Sequence, residues 1–96
     1  MKFRITIPAQ IDLESIWGFT DQNWGEEQAD LYIDLLMVRM AWLLANKDLW
    51  HSRPEVQDGV YFYTEKSHVI YFSEHSGNID ILRVLHASMD PDLHLA

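Results

Sequence analysis

The chain has 96 residues, no cysteine, 48% hydrophobic residues and a formal net charge of −8. This hydrophobic content is ample for a core and excludes a disordered chain, and the length predicts a single domain over residues 1–96. The acids are spread evenly and no basic patch is present, so direct binding of nucleic acid is not expected. Without cysteine, disulfides and thiolate metal sites are excluded, which fits a reducing compartment.

The sequence also predicts where the chain resides. No run of about 18 apolar residues is present, so no membrane span is predicted. The first five residues lead into polar–apolar alternation rather than an apolar segment, so no signal peptide is predicted either. We therefore expect a cytoplasmic protein.

The N-terminal half predicts one strand and two helices. Residues 2–7 alternate polar and apolar side chains, which predicts a half-buried strand ending at Pro8. Residues 9–20 place their apolar side chains on one helix face. Residues 21–23 are predicted to end this helix and separate it from the next. A second helix is predicted over residues 24–46, with acids in its first turn, where the helix dipole favours them.

The C-terminal half predicts a sheet. Residues 47–59 contain proline and glycine and show no periodicity, so we predict a crossing loop. Three strands follow, joined by short hairpin connections: residues 60–64, 68–73 and 78–86. The order of elements predicts an α+β fold with an N-terminal strand, a helical hairpin and a three-stranded antiparallel meander, in which the helices pack on one face of the sheet.

The second helix carries two apolar faces. One broad face is expected to lie on the sheet. A second stripe, on nearly the opposite side, consists of Leu31, Leu35, Val38 and Trp42. Either the first helix covers this stripe, or the stripe is a contact surface for a partner protein or a dimer mate. Acids beside the stripe favour a partner segment whose apolar anchors are flanked by Lys or Arg.

Motifs of enzymes and cofactor sites are missing from the sequence. The five histidines show no metal-ligand spacing, so no metal is predicted. Phosphate-binding loops, dinucleotide fingerprints and nucleophile elbows are absent, so no cofactor is predicted. The sequence alone therefore favours a protein that acts by binding another protein.

Short motifs along the chain indicate a family. The first half contains Asp12-Leu13 and Trp24-Gly25, and the central strand contains His68 and Tyr71. The last strand and tail contribute a further set: Arg83, His86, Met89, Asp90 and His94. In this order and spacing, the motifs resemble the ParE branch of the RelE/ParE toxins.

The resemblance implies a function and a set of partners. ParE toxins are not enzymes; they poison DNA gyrase and are silenced by a tightly bound ParD-like antitoxin, so a toxin–antitoxin hetero-oligomer or a homodimer is expected. By motif, the candidates for target binding and toxicity are His68, Arg83, His86, Met89, Asp90 and His94. Two of these have simpler structural roles available. His68 could hydrogen bond at the sheet edge, and Arg83 could pair with Asp80 or Asp90.

Two alternatives remain open at this point. The RelE branch of the same superfamily cleaves messenger RNA on the ribosome, which requires an acid, a base and cations around the phosphate. This chain has Ser67-His68 where such nucleases have cations, and its preceding strand has none. Members of the ParE branch usually carry arginine after the position of Gly59, whereas this chain has Tyr61 and Phe62. A detoxified interaction module of the same fold is the other alternative.

Overall fold

The computed structural model describes residues 2–95; residues 1 and 96, the ends of the predicted domain, lie outside them. Two long helices pack on one face of a five-stranded sheet, which confirms the predicted α+β class. The elements in chain order are β1 (Phe3–Ile5), α1 (Ile7–Trp24), α2 (Glu26–Ala45), β2 (His51–Ser52), β3 (Tyr61–Glu65), β4 (His68–His75), β5 (Asn78–His86) and α3 (Asp92–Leu95). The strand order is β1-β5-β4-β3-β2, with β1 parallel to β5 and the other pairs antiparallel.

The helical hairpin differs from the prediction at its start and at its turn. Strand β1 ends at Ile5, and Pro8 lies in the first turn of α1. Backbone N–H groups in the first turn have no acceptor within the helix, so the N–H that proline lacks breaks no helical hydrogen bond. Residues 21–23 do not break the helix, which continues to Trp24. The break is Gly25, whose φ of 94° is costly for any residue with a Cβ.

The segment predicted as a crossing loop is partly regular, which corrects the prediction. Residues Lys47–Leu49 form a 3₁₀ turn, and the short strand β2 pairs with β3. Trp50 fixes this path, because its indole Nε1 donates to the carbonyl of Leu43 and its ring packs edge-on against Phe72. Strand β4 also extends beyond its predicted end to His75, and the tail forms the unpredicted helix α3.

The sheet is buried on both faces. The main core lies between the hairpin and the sheet, and it contains Ala9, Ile16, Leu36, Met40, Leu43, Ile70, Phe72, Ile79, Ile81 and Val84. A smaller cluster occupies the opposite face, with Val60, Val69, Tyr71 and Leu85 buried and Leu95 of the tail packed against them. Tyr71 and Phe72 therefore both lie in a core, one on each face, because successive strand residues point to opposite sides.

Helix α1 covers the edge of β5 beyond the end of β1. The Thr6 hydroxyl donates to the carbonyl of Ile81 at 2.8 Å, just past the last paired residue of β1. Farther along, the N–H of Val84 donates to the Asp12 carboxylate at 2.9 Å. Side chains from the start of α1 thus replace strand partners and leave the distal end of β5, near His86, open for a site.

Candidate functional site

An open groove of about 830 Å³ lies where the helical hairpin, the start of β4, the end of β5 and the tail meet. It is lined by Ser15, Ile16, Phe19, Thr20, Trp24, Gln28, Tyr32, Ser67, His68, His86, Ser88 and Met89. None of these residues is Lys, Arg, Asp or Glu. The groove is therefore an apolar, aromatic surface with a few neutral polar groups.

The turn of the hairpin forms one wall of the groove. Phe19 and Trp24 are 61% and 66% exposed, and their rings meet edge-to-face at 6.2 Å between centroids. Ile16 and Thr20 are buried at the base of this wall, and the Thr20 hydroxyl donates to the carbonyl of Ile16. Two large aromatic rings left in water beside a formed groove are typical of a contact surface for a partner.

Tyr32 and two histidines form the polar part of the groove. The Tyr32 hydroxyl lies 2.6 Å from Nδ1 of His68, and His68 faces His86 across the β4–β5 pair, with ring centroids 5.5 Å apart. The N–H of Ser88 donates to Nδ1 of His86 at 3.1 Å. The hydroxyl of Ser88 lies 2.7 Å from the same Nδ1 atom.

Burial keeps the side chains of His68 and Tyr32 uncharged at neutral pH. Burial lowers the pKa of His68 below its ordinary value of 6.5, and the nearby His86 lowers it further. Burial also raises the pKa of Tyr32; a hydrogen bond from Ser67 opposes this shift, and Glu65 adds to it. At neutral pH the groove therefore presents a neutral imidazole and a neutral phenol.

Arg83 lies in a different environment, which corrects the predicted pairing with Asp80 or Asp90. Its Nε and Nη2 donate to the two carboxylate oxygens of Asp12 at 2.7 and 2.8 Å. Its Nη1 donates to the carbonyl of His94 at 3.0 Å. The hydrogen bonds to Asp12 raise the pKa of Arg83 against the opposing effect of burial. Asp80 pairs with Arg4 instead.

The six residues implied by the family resemblance do not form one site. His68, His86 and Met89 line the groove, whereas Arg83 and His94 line a separate cleft of about 370 Å³. Asp90 lies in the tail, where its carboxylate accepts the N–H of Asp92 at the start of α3. Thus three candidates share a surface and three organise the tail.

Sequence reasoning missed the aromatic wall and the hydroxyl of Tyr32. A signal for the wall was present: Ile7, Ile11, Ser15 and Phe19 follow one another at intervals of four, beside the buried row of α1. Ile7 and Ile11 are exposed, and Ser15 and Phe19 line the groove. The row on α1 was overlooked because only the face toward the core was assigned.

The predicted stripe of α2 divides into two parts. Leu31 and Val38 are exposed, and Leu35 is half-buried. Trp42 packs edge-on against Tyr63 of β3 at 5.2 Å, and the guanidinium of Arg39 lies over its ring at 4.6 Å. The exposed surface of α2 is therefore smaller than the stripe predicted from its periodicity.

Two general features of residues 2–95 bear on the class of protein. No helix in this range is both long enough and apolar enough to cross a membrane. Within the same range, no group of three or more His, Asp or Glu side chains is placed to hold a metal ion. The features that the described residues do present are the groove and the exposed apolar side chains of both helices.

Comparison with known proteins identifies the family. Residues 3–91 match the family described as the ParE toxin of type II toxin-antitoxin systems, parDE. Toxin ParE1 of Mycobacterium tuberculosis is 32% identical over 95 residues, which cover 98% of this chain and 97% of the relative. Toxin ParE1 of Caulobacter vibrioides is 29% identical over 93 residues, with 97% and 96% covered.

A solved structure supports the fold. The chromosomal ParDE toxin–antitoxin system from P. aeruginosa contains a chain that superposes with a TM-score of 0.77 at 23% identity, over 90% of this chain and 95% of that one. The fold and the groove thus define a small α+β protein with an open apolar groove between its helical hairpin and its sheet. The chain belongs to the ParE toxin family of type II toxin–antitoxin systems, as its motifs predicted.

Proposed function

We propose that this toxin acts in the cytoplasm by inhibiting DNA gyrase through protein–protein contact, as one domain over residues 1–96, and that a ParD-like antitoxin neutralises it. The observation that carries the proposal is the groove: an open, apolar surface in a member of the ParE family. Exposed aromatic and Met side chains are favoured in the contact surfaces of proteins, and Phe19, Trp24 and Met89 provide them here.

We infer that inhibition does not involve catalysis. Cleavage of a phosphodiester needs a base, an acid and cations beside the phosphate. The groove has two histidines but no cationic side chain in its lining. Arg53 and Lys66 do not line the cleft beside Arg83, and the guanidinium of Arg83 is held by Asp12. This distribution of charge disfavours the ribosome-dependent endonuclease.

The groove is the proposed point of competition between target and antitoxin. His68, His86 and Met89 would contact the target, and the antitoxin would silence the toxin by covering the same surface. The exposed part of α2, Leu31 and Val38, provides a second apolar patch for the antitoxin or for a dimer mate. Arg83, Asp90 and His94 would contribute by holding the tail in place beside the groove.

Expression of the chain in a bacterium, with and without a co-expressed ParD-like antitoxin, tests the proposal. We expect growth arrest that the antitoxin relieves, together with stabilised cleaved-DNA complexes of purified gyrase. Phe19→Ser should reduce both the growth arrest and the amount of stabilised gyrase complex. Leu93→Ser is the matched control, because Leu93 is 78% exposed and lies outside the groove lining.

The other outcomes separate the alternatives. Growth arrest with cleavage of messenger RNA on ribosomes and unaffected gyrase would establish the endonuclease. Normal growth and no stabilised gyrase complex, with the antitoxin still bound, would establish a detoxified interaction module.

A further inference from the structure

The charge around the groove specifies the chemistry of the segment that covers it. Five of the seven Lys and Arg residues already form ion pairs with carboxylates of this chain. Among residues 2–95, ten of the 15 acids form no ion pair. The net charge of −8 therefore resides on acids whose carboxylates are available to a partner.

Two of these acids, Glu14 of α1 and Glu27 of α2, belong to the helices that border the groove, and we call them the acids of the rim. Glu14 precedes Ser15 of the lining, and Glu27 precedes Gln28. Both acids are exposed. Glu14 is one helical turn from the exposed Ile11 on α1, and Glu27 is one helical turn from the exposed Leu31 on α2. Each of the two helices that border the groove thus carries a carboxylate beside an exposed apolar side chain.

The apolar surface also has a length and a direction. The exposed row on α1 runs from Ile7 through Ile11 to Ser15 and Phe19 in the groove. At the helical rise, these twelve steps span about 18 Å. An amphipathic helix of three to four turns could follow such a row with its own apolar face.

We propose that the segment covering the groove and the exposed row of α1 is a basic amphipathic helix, whose Lys or Arg side chains meet the acids of the rim. The inference rests on the proposed function, since the segment is taken to belong to the antitoxin. Its basis is charge complementarity: an acidic partner would place like charges beside Glu14 and Glu27, which opposes association.

Two synthetic peptides of 18 residues test this chemistry on the full chain. Both carry Leu at helical spacing; one carries Lys at the flanking positions, and its twin carries Glu there. We expect the Lys peptide to bind at least about tenfold more tightly at low salt, equivalent to about 1.4 kcal/mol. The ratio should fall when the salt concentration approaches about 0.5 M, because salt screens exposed charges.

Two double variants that remove the same charge at different places test whether the preference for the Lys peptide depends on the acids of the rim. Glu14→Gln with Glu27→Gln should lower the affinity for the Lys peptide severalfold. Asp48→Asn with Asp58→Asn removes the same charge from exposed positions beyond the far end of α2 and before β3, and should change the affinity much less. Phe19→Ser should weaken binding of the Lys peptide at both salt concentrations, because it removes an apolar anchor.

The inference is overturned if neither peptide binds, if the Glu peptide binds equally well, or if Phe19→Ser has no effect. Equal losses in the two double variants would also overturn it, because net charge alone would then explain the preference. Growth arrest by the chain is measured without either peptide. Failure of the proposed function is therefore distinguishable from failure of this inference.

Discussion

The groove beside His86 and the corner around Arg83 are three residues apart on β5, yet they differ in how their side chains are used. In the corner, Arg83 is bound by Asp12 and by the carbonyl of His94, so its hydrogen-bonding groups serve the fold. In the groove, large aromatic side chains are exposed, and His68 and Tyr32 are neutral. The comparison teaches that one family motif contains both residues that line an open groove and residues whose polar groups are used within the fold.

Removal of Asp12 should have the largest effect on stability. Asp12→Ala leaves the half-buried Arg83 without its ion partner and the N–H of Val84 without its acceptor. We expect the free energy of unfolding to fall by about 2–4 kcal/mol, as for a broken partly buried pair. Chemical denaturation measures this change.

Arg4→Ala is the control for this prediction. Its ion pair with Asp80 is exposed on the arginine side, where the side chain retains 73% of its accessible surface. Exposed pairs contribute at most about 1 kcal/mol, so the loss should be clearly smaller. A loss equal to that of Asp12→Ala would show that the corner around Arg83 has no special structural role.

Helix α2 permits the same comparison between a side chain used by the fold and one left exposed. Trp42→Asp removes a ring that packs on Tyr63 and under Arg39, and it places a carboxylate at a half-buried position. We expect a loss of about 2–3 kcal/mol. Val38→Asp changes a side chain that is 66% exposed, and surface changes of this kind usually alter stability by less than about 0.5 kcal/mol.

In antitoxin binding, Val38→Asp, the variant with the smaller effect on stability, is expected to show a specific loss. If Leu31 and Val38 form a partner surface, Val38→Asp should weaken binding of the antitoxin or self-association while the domain stays folded. Denaturation curves and a binding assay on the same samples check both properties. A strong loss of stability in Val38→Asp would place this residue in the core and remove α2 as a partner surface.

The sequence was sufficient for the order of the two long helices and the four main strands, but not for β2, α3 or the contacts between elements. Periodicity identified the strands and both helices, because one buried face is visible in a one-dimensional pattern. The pairing of Arg83 with Asp12 was not predictable in this way, since the two residues are 71 positions apart and meet only when α1 crosses the edge of β5. Nearer acids, Asp80 and Asp90, were the natural but incorrect choices.

The groove was predicted in part for a similar reason. Motifs supplied His68, His86 and Met89, whereas Tyr32 joined them only through the packing of α2 over the start of β4. The turn at Gly25 places Trp24 beside Phe19, and the sequence alone suggested a break three residues earlier. Local sequence patterns therefore predict which face of a helix or strand is buried, whereas a groove between elements depends on how those elements pack together.

The pH dependence of stability should reflect the neutral state of the groove. Unfolded His68 has its ordinary pKa of 6.5, whereas its pKa in the folded protein is lower. As the pH falls through 6.5, the unfolded chain binds the proton first, so the free energy of unfolding decreases until the folded-state pKa is passed. For one proton, the steepest slope is about 1.4 kcal/mol per pH unit.

The comparison of His68→Gln with the parent chain isolates this contribution. The variant should lose less stability than the parent between about pH 7.5 and pH 5.5, because the titrating group is absent. His51→Gln serves as the control, since His51 is exposed at the opposite edge of the sheet. Parallel pH profiles for His68→Gln and the parent would show that burial of His68 does not affect its proton affinity.

The smallest expected effect concerns the two histidines themselves. Burial is the main cause of the lowered pKa of His68, and the electrostatic effect of His86 is the second. His86→Gln removes only the repulsion, so the pKa of His68 should rise but remain below 6.5. NMR titration of the His68 ring protons measures this value, with His75→Gln as a control that should leave it unchanged.

Because His86 is exposed, salt should screen the repulsion and move the pKa of His68 in the parent chain toward its value in the variant. A pKa of His68 that is unaffected by both salt and His86→Gln would mean that His86, although its ring lies 5.5 Å away, does not influence the proton affinity of His68.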